Sequence, residues 1–66
     1  MSYAVALLPF RLTNTMWIYP TLKDAREFAR SRSMTQAMGV WDYYEHTRGE
    51  LLLVVYQEIV FVPEDK

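Results

Sequence analysis

The sequence has no cysteine and a single histidine, His46, which removes two common ways of stabilising a small domain. Disulfides are excluded, and structural zinc is not expected, because such sites draw mainly on cysteine and histidine. Glycine is equally scarce. With Gly39 and Gly49 alone, no glycine-rich phosphate-binding loop can be assembled. The serines at 2, 31 and 33 have no evident base beside them, so no nucleophile–base pair stands out and a catalytic role is not expected. Nothing in the chain implies a cofactor. The longest apolar tract, residues 51–62, is interrupted by Gln57 and Glu58 and is too short to span a bilayer as a helix. Near the amino terminus the apolar residues have no basic leader and are broken by Pro9, which does not fit a secretory signal; a cytoplasmic protein is the expectation.

What is abundant is apolar surface. Hydrophobic residues make up 52% of the 66 positions and aromatic ones 15%, a composition that argues against disorder. A chain of this length holds one domain, assigned to residues 1–63 with a short loose tail at 64–66. Such a domain buries only about 60% of the surface its unfolded chain exposes. With disulfides and zinc set aside, oligomerisation or a protein partner is the remaining source of stability. The net charge of −1 conceals a division: residues 1–40 carry five basic and two acidic side chains (+3), and residues 41–66 carry two basic and six acidic ones (−4). This is neither a bulk polycation for nucleic acid nor an all-acidic surface.

The residue pattern predicts an α+β domain of order β-β-α-β-β, with four antiparallel strands, or five if the last run divides. Residues 3–12 read as a strand in which Pro9 marks an edge or bulge, residues 13–15 as a turn, and residues 16–19 as a short second strand. Thr21 with Asp24 three residues later fits a capping box, so a helix starts at Leu22. Leu22, Ala25, Phe28 and Ala29 share one face of that helix and supply its apolar stripe. Gly39 suits a left-handed helix stop, although Arg32 falls inside the stripe and Met34 and Met38 outside it, which marks residues 31–33 as a possible break. Residues 40–45 follow as a strand, 46–49 as a hairpin loop whose Gly49 suits a positive φ, and 50–56 as the returning strand. Residues 59–62 are read as a bent continuation of that strand, because Gln57 and Glu58 are poor turn formers.

In a continuous last strand, Leu51, Leu53, Val55, Ile59 and Phe61 point one way, and Leu52, Val54, Tyr56, Val60 and Val62 the other. Both faces are then apolar, yet one helix covers only one of them. The second set is accordingly expected to form an oligomer interface, a homodimer being the simplest form. The competing reading is a strongly twisted sheet that wraps around its helix.

Two further surfaces are candidates for partner binding. Lys23, Arg26 and Arg30 lie on one side of the helical wheel with Arg32 nearby, suiting phosphate or acidic side chains; a solvated helix face tempered by Asp24 and Glu27 is the plainer explanation. Trp41 and Tyr43 share a strand face and suit a protein interface, or the stacking of nucleic-acid bases, although Asp42, Glu45 and Glu50 would repel a phosphate backbone. Asp42, Glu45, His46 and Glu50 gather near the second hairpin, but their spacing matches no known metal loop.

The passage Thr21-Leu22-Lys23-Asp24-Ala25-Arg26-Glu27-Phe28-Ala29, set between a short aromatic strand and a strand beginning at Val40, resembles the layout of small phage proteins that bind and inhibit host enzymes. The resemblance covers about a third of the chain. It implies a non-enzymatic binder that blocks a larger host machine, and it transfers no individual binding residues. A protein-interaction module, acting as an inhibitor or adaptor, is therefore the expected function. A small nucleic-acid-binding regulator using the basic helix stripe and the sheet aromatics is the alternative.

Overall fold

The computed structural model describes residues 2–8 and 15–63. The chain forms β1 (Ser2–Leu7), β2 (Trp17–Tyr19), α1 (Leu22–Arg32), β3 (Met38–Tyr44), β4 (Thr47–Tyr56) and β5 (Ile59–Phe61). These build an α+β domain with one five-stranded antiparallel sheet of order β2-β1-β3-β4-β5. Strands β2 and β3 both run antiparallel to β1, hence parallel to each other. Their connection must cross over β1, and α1 is that crossover.

The helix starts where the capping pattern places it. Thr21 has extended backbone angles, and its hydroxyl accepts the Asp24 N–H at 3.2 Å. Ala25 and Ala29 are buried, and their small side chains let α1 lie close on Val5, Met38, Val40, Leu53 and Val55, with Tyr3, Leu7, Trp17, Tyr19 and Phe28 around the margin. The fourth residue of the expected stripe, Leu22, is exposed at the helix start. Among the described residues no helix is long and apolar enough to cross a membrane.

Gly39 does not end the helix. The stop comes six residues earlier, at Ser33, because the backbone beyond it is claimed by the sheet: Leu8 N–H donates to the Ala37 carbonyl at 3.0 Å, and Met38 pairs with Leu7. Met38 thereby becomes a fully buried core residue. Gly39 instead lies in β3, where the Trp41 indole folds back over it; a β-carbon there would approach the ring to 2.7 Å. With Val5 and Val40 facing the helix, Ala4, Ala6, Gly39 and Trp41 lie on the opposite face. All four are buried, Trp41 with 4% of its surface exposed.

The first strand spans Ser2–Leu7 with Leu8 outside it, and residues 9–12 of the expected strand, the bulge at Pro9 and most of the turn at 13–15 fall outside the described residues, as does the tail at 64–66. The β3–β4 turn also sits earlier than expected. It is made by Glu45 and His46, both at positive φ (50° and 66°), while Gly49 has no positive φ and belongs to β4. Gly49 is needed for space, since a β-carbon there would collide with the Asp42 carboxylate, which accepts the Glu50 N–H at 2.7 Å. The register between β3 and β4 slips on either side of Trp41, and this carboxylate bonds a backbone donor in the irregular stretch.

Gly39→Ala should destabilise the domain by about 1–3 kcal/mol, the usual effect of overpacking. Urea unfolding would show it, together with a red shift in tryptophan emission as the indole is displaced.

Candidate protein-interaction surface

Residues 57–62 do not continue the last strand. Gln57 and Glu58 both take positive φ (50° and 66°) and form a two-residue turn, and the chain returns as β5 with Val54 opposite Phe61, Val55 opposite Val60 and Tyr56 opposite Ile59. Neither residue favours the left-handed region, which disfavours L-residues by roughly 1–2 kcal/mol apiece. The compensation comes from Ser33, buried at the end of α1. Its carbonyl accepts the Gln57 N–H at 2.8 Å, and its hydroxyl accepts the Glu58 N–H at 3.0 Å while donating to the Arg30 carbonyl at 3.0 Å. The helix terminus thus holds the turn in a shape its own residues do not prefer.

This reversal changes which residues share a face. Opposed residues in an antiparallel pair project on the same side, so Val60 joins Val55 on the helix side, while Ile59 and Phe61 join Tyr56 and Val54 on the far side. Ile59 and Phe61 therefore lie opposite to the expected side, and Val60 leaves the set Leu52, Val54, Tyr56, Val60 and Val62. Leu51 also changes side, because it opposes Trp41 across the register slip, and Leu52 is the extra residue of the resulting bulge. Leu52 and Val54 are half-buried. The contiguous exposed apolar surface is narrower than the whole far face and lies at the β5 edge: Tyr56 is 41% exposed, Ile59 58%, Val60 38%, Phe61 51% and Val62 75%.

The expected basic stripe is partly neutralised. Glu27 pairs with Arg30 at 3.4 Å and with Arg26 at 4.0 Å, all three side chains being substantially exposed. Lys23 is exposed on the same helix. Arg32 behaves differently: its guanidinium lies over the rings of Phe28, at 5.0 Å, and Trp17, at 5.3 Å. That explains a cation inside the apolar stripe, since a planar guanidinium stacks on aromatic faces while its edge stays in water. Phe28 also packs on Trp17 and Tyr19, with ring centroids 5.0 and 5.3 Å apart. The result is an aromatic cluster covered by arginine beside the β2 edge.

Trp41 and Tyr43, expected together on one surface, differ in access. Trp41 is buried, with the Arg48 guanidinium 5.0 Å from its ring centroid, whereas Tyr43 is half-buried. An open hollow of about 330 Å³ at the β3–β4 turn is lined by Asp42, Tyr44, Glu45, Thr47 and Gly49. Among the described residues no three carboxylate, histidine or cysteine side chains come together as a metal site.

Ile59 and Phe61, the main exposed apolar pair, were absent from the expected interface, as were the aromatic supports of Arg32. The available signal for the first was spacing: two β-rich runs separated by two residues is the hairpin pattern, whatever those two residues are. No protein-family model matches the chain, and comparison with curated proteins and with solved structures finds no similar protein.

Replacing the turn by Asn-Gly, through Gln57→Asn and Glu58→Gly, should raise stability by about 1 kcal/mol by relieving the left-handed backbone. Ser33→Ala should lower stability by about 1–3 kcal/mol by removing the acceptor of the part-buried Glu58 N–H. Equilibrium urea unfolding of the variants checks both.

Proposed function

We propose that this chain is a non-enzymatic protein-binding module of the cytoplasm, serving as a small inhibitor or adaptor of a larger protein assembly. The observation that carries the reading is the β4–β5 hairpin, which leaves Tyr56, Ile59, Phe61 and Val62 exposed together at one edge of the sheet. Exposed aromatic and branched apolar side chains of this kind anchor protein interfaces. The arginine-covered cluster of Trp17, Phe28 and Arg32 offers a second contact of a composition common at binding hot spots. Blocking of a host enzyme, the role implied by the resemblance of residues 21–29 to phage inhibitors, is one form this activity would take.

The nucleic-acid reading has less support. Glu27 offsets Arg26 and Arg30, Arg32 occupies the ring faces on which bases would stack, and Trp41 is buried.

The test compares capture by the immobilised wild-type chain with capture by an Ile59→Ser/Phe61→Ser variant, reading bound protein by quantitative mass spectrometry and bound nucleic acid by sequencing. A specific protein should be recovered by the wild type and depleted about tenfold or more by the variant, as loss of interface anchors predicts. Capture indifferent to the two changes, or salt-sensitive capture of nucleic acid alone, would overturn the proposal.

A further inference from the structure

The β5 edge has a geometry that selects its occupant. The turn places Tyr56 and Ile59 opposite each other across a two-residue loop, where the turn hydrogen bond joins the Tyr56 carbonyl to the Ile59 N–H. Hydrogen-bonded and non-hydrogen-bonded pairs alternate along an antiparallel ladder, so Val55 and Val60 form a non-hydrogen-bonded pair. The N–H and C=O of Val60 therefore point away from β4, toward the open side of the sheet. Ile59–Phe61 contains no charge and no proline, but the strand is only three residues long and is bounded by the Glu58 turn and by Pro63, so the open edge comes down to the backbone groups of Val60. The opposite edge, β2, is followed immediately by Pro20, which has no N–H to extend a ladder.

We infer that a second copy of this chain pairs with β5 through its own β5, antiparallel and about a two-fold axis beside Val60, joining two five-stranded sheets into one of ten strands. The strand is self-complementary in this register. Val60 opposes Val60 of the second copy and exchanges two backbone hydrogen bonds with it, and Ile59 opposes Phe61 in both directions. Glu58 lies in the turn outside the paired strand, and Ile59–Phe61 carries no charge, so no like charges meet within the pairing. On the far face the two Ile59–Phe61 pairs form one apolar cluster flanked by each Tyr56. An isologous contact closes at two copies, whereas β5-to-β2 pairing would propagate without end.

The area is small. Tyr56, Ile59, Val60, Phe61 and Val62 each expose on the order of 100 Å², so the pairing buries at most on the order of 500 Å² per copy and 1,000 Å² per dimer, no more than the smallest specific interfaces. A weak, concentration-dependent dimer is the consequence. The inference rests on the reading of this hairpin as a binding surface and names a second copy as its occupant.

Sedimentation equilibrium on the full chain tests it, with a shift from monomer at about 1 µM to dimer at about 500 µM expected of an interface this size. Val60→Pro removes an outward N–H but no bond to β4, so it should give a monomer with unchanged circular dichroism. Ile59→Lys and Phe61→Glu should each weaken the dimer about tenfold or more. Mixing those two variants should restore it, because the register places the new lysine opposite the new glutamate. A wild type that is monomeric throughout, open-ended polymers, or a mixture that fails to recover would overturn the inference. If Val60→Pro does not fold, the charge-paired variants decide alone. A monomer whose protein capture still depends on Ile59 and Phe61 would refute the dimer and leave the proposed function standing.

Discussion

Ser33 is where the helix stops and where the last hairpin is held. Its hydroxyl and carbonyl bond the end of α1, through Arg30, to both N–H groups of the Gln57-Glu58 turn, which lies 24 and 25 residues further along the chain. A turn of two L-residues at positive φ is unfavourable by itself, and the net worth of a hydrogen bond in water is only about 0.5–1.5 kcal/mol. Burial raises the stakes, because an unmatched polar group at that site would lose its water without replacement. The turn forms because the folded helix presents paired acceptors there. Everything distinctive about the β5 edge follows from it.

The two faces of the sheet solve different packing problems. On one, alanines at 25 and 29 bring the helix close to a floor of branched residues and methionine. On the other, Trp41 lies over Gly39, with Ala4 and Ala6 as neighbours in the pairing register. Small residues beneath a large ring leave it room to lie flat on the sheet. The far face is closed in its middle, and its apolar exposure lies at the edges, at Ile18 in β2 and at Tyr56, Ile59 and Phe61 beside the last turn.

Much of the architecture was legible in the residues. The Thr21 cap, the start of α1 at Leu22, the antiparallel pairing of the first two strands and of the β3–β4 hairpin, and the break near residues 31–33 all rest on short-range rules of spacing and side-chain chemistry. Both glycines depart from local expectation for one reason. Backbone freedom suits Gly39 to a helix stop and Gly49 to a turn, whereas each is needed for space, under the Trp41 ring and beside the Asp42 carboxylate. Those neighbours come from packing and from the β3–β4 pairing, which local propensity does not describe. Of the expected surface residues, Trp41 is buried and Val60 lies on the helix side, while Lys23, Arg26, Arg30 and Tyr56 are accessible to different degrees.

By itself, the sequence determined an α+β fold with an amphipathic helix, free of disulfides, and with more apolar surface than so small a core absorbs. Those properties follow from composition and periodicity, which act along the chain. Only the tertiary structure decided where the surplus lies. Side chains alternate along a strand, so one turn, or one bulge, transfers every later residue to the other face. The turn at Gln57-Glu58 depends on hydrogen bonds to Ser33 from a distant part of the chain. The direction in which Ile59, Val60 and Phe61 point was thus settled by a contact between elements.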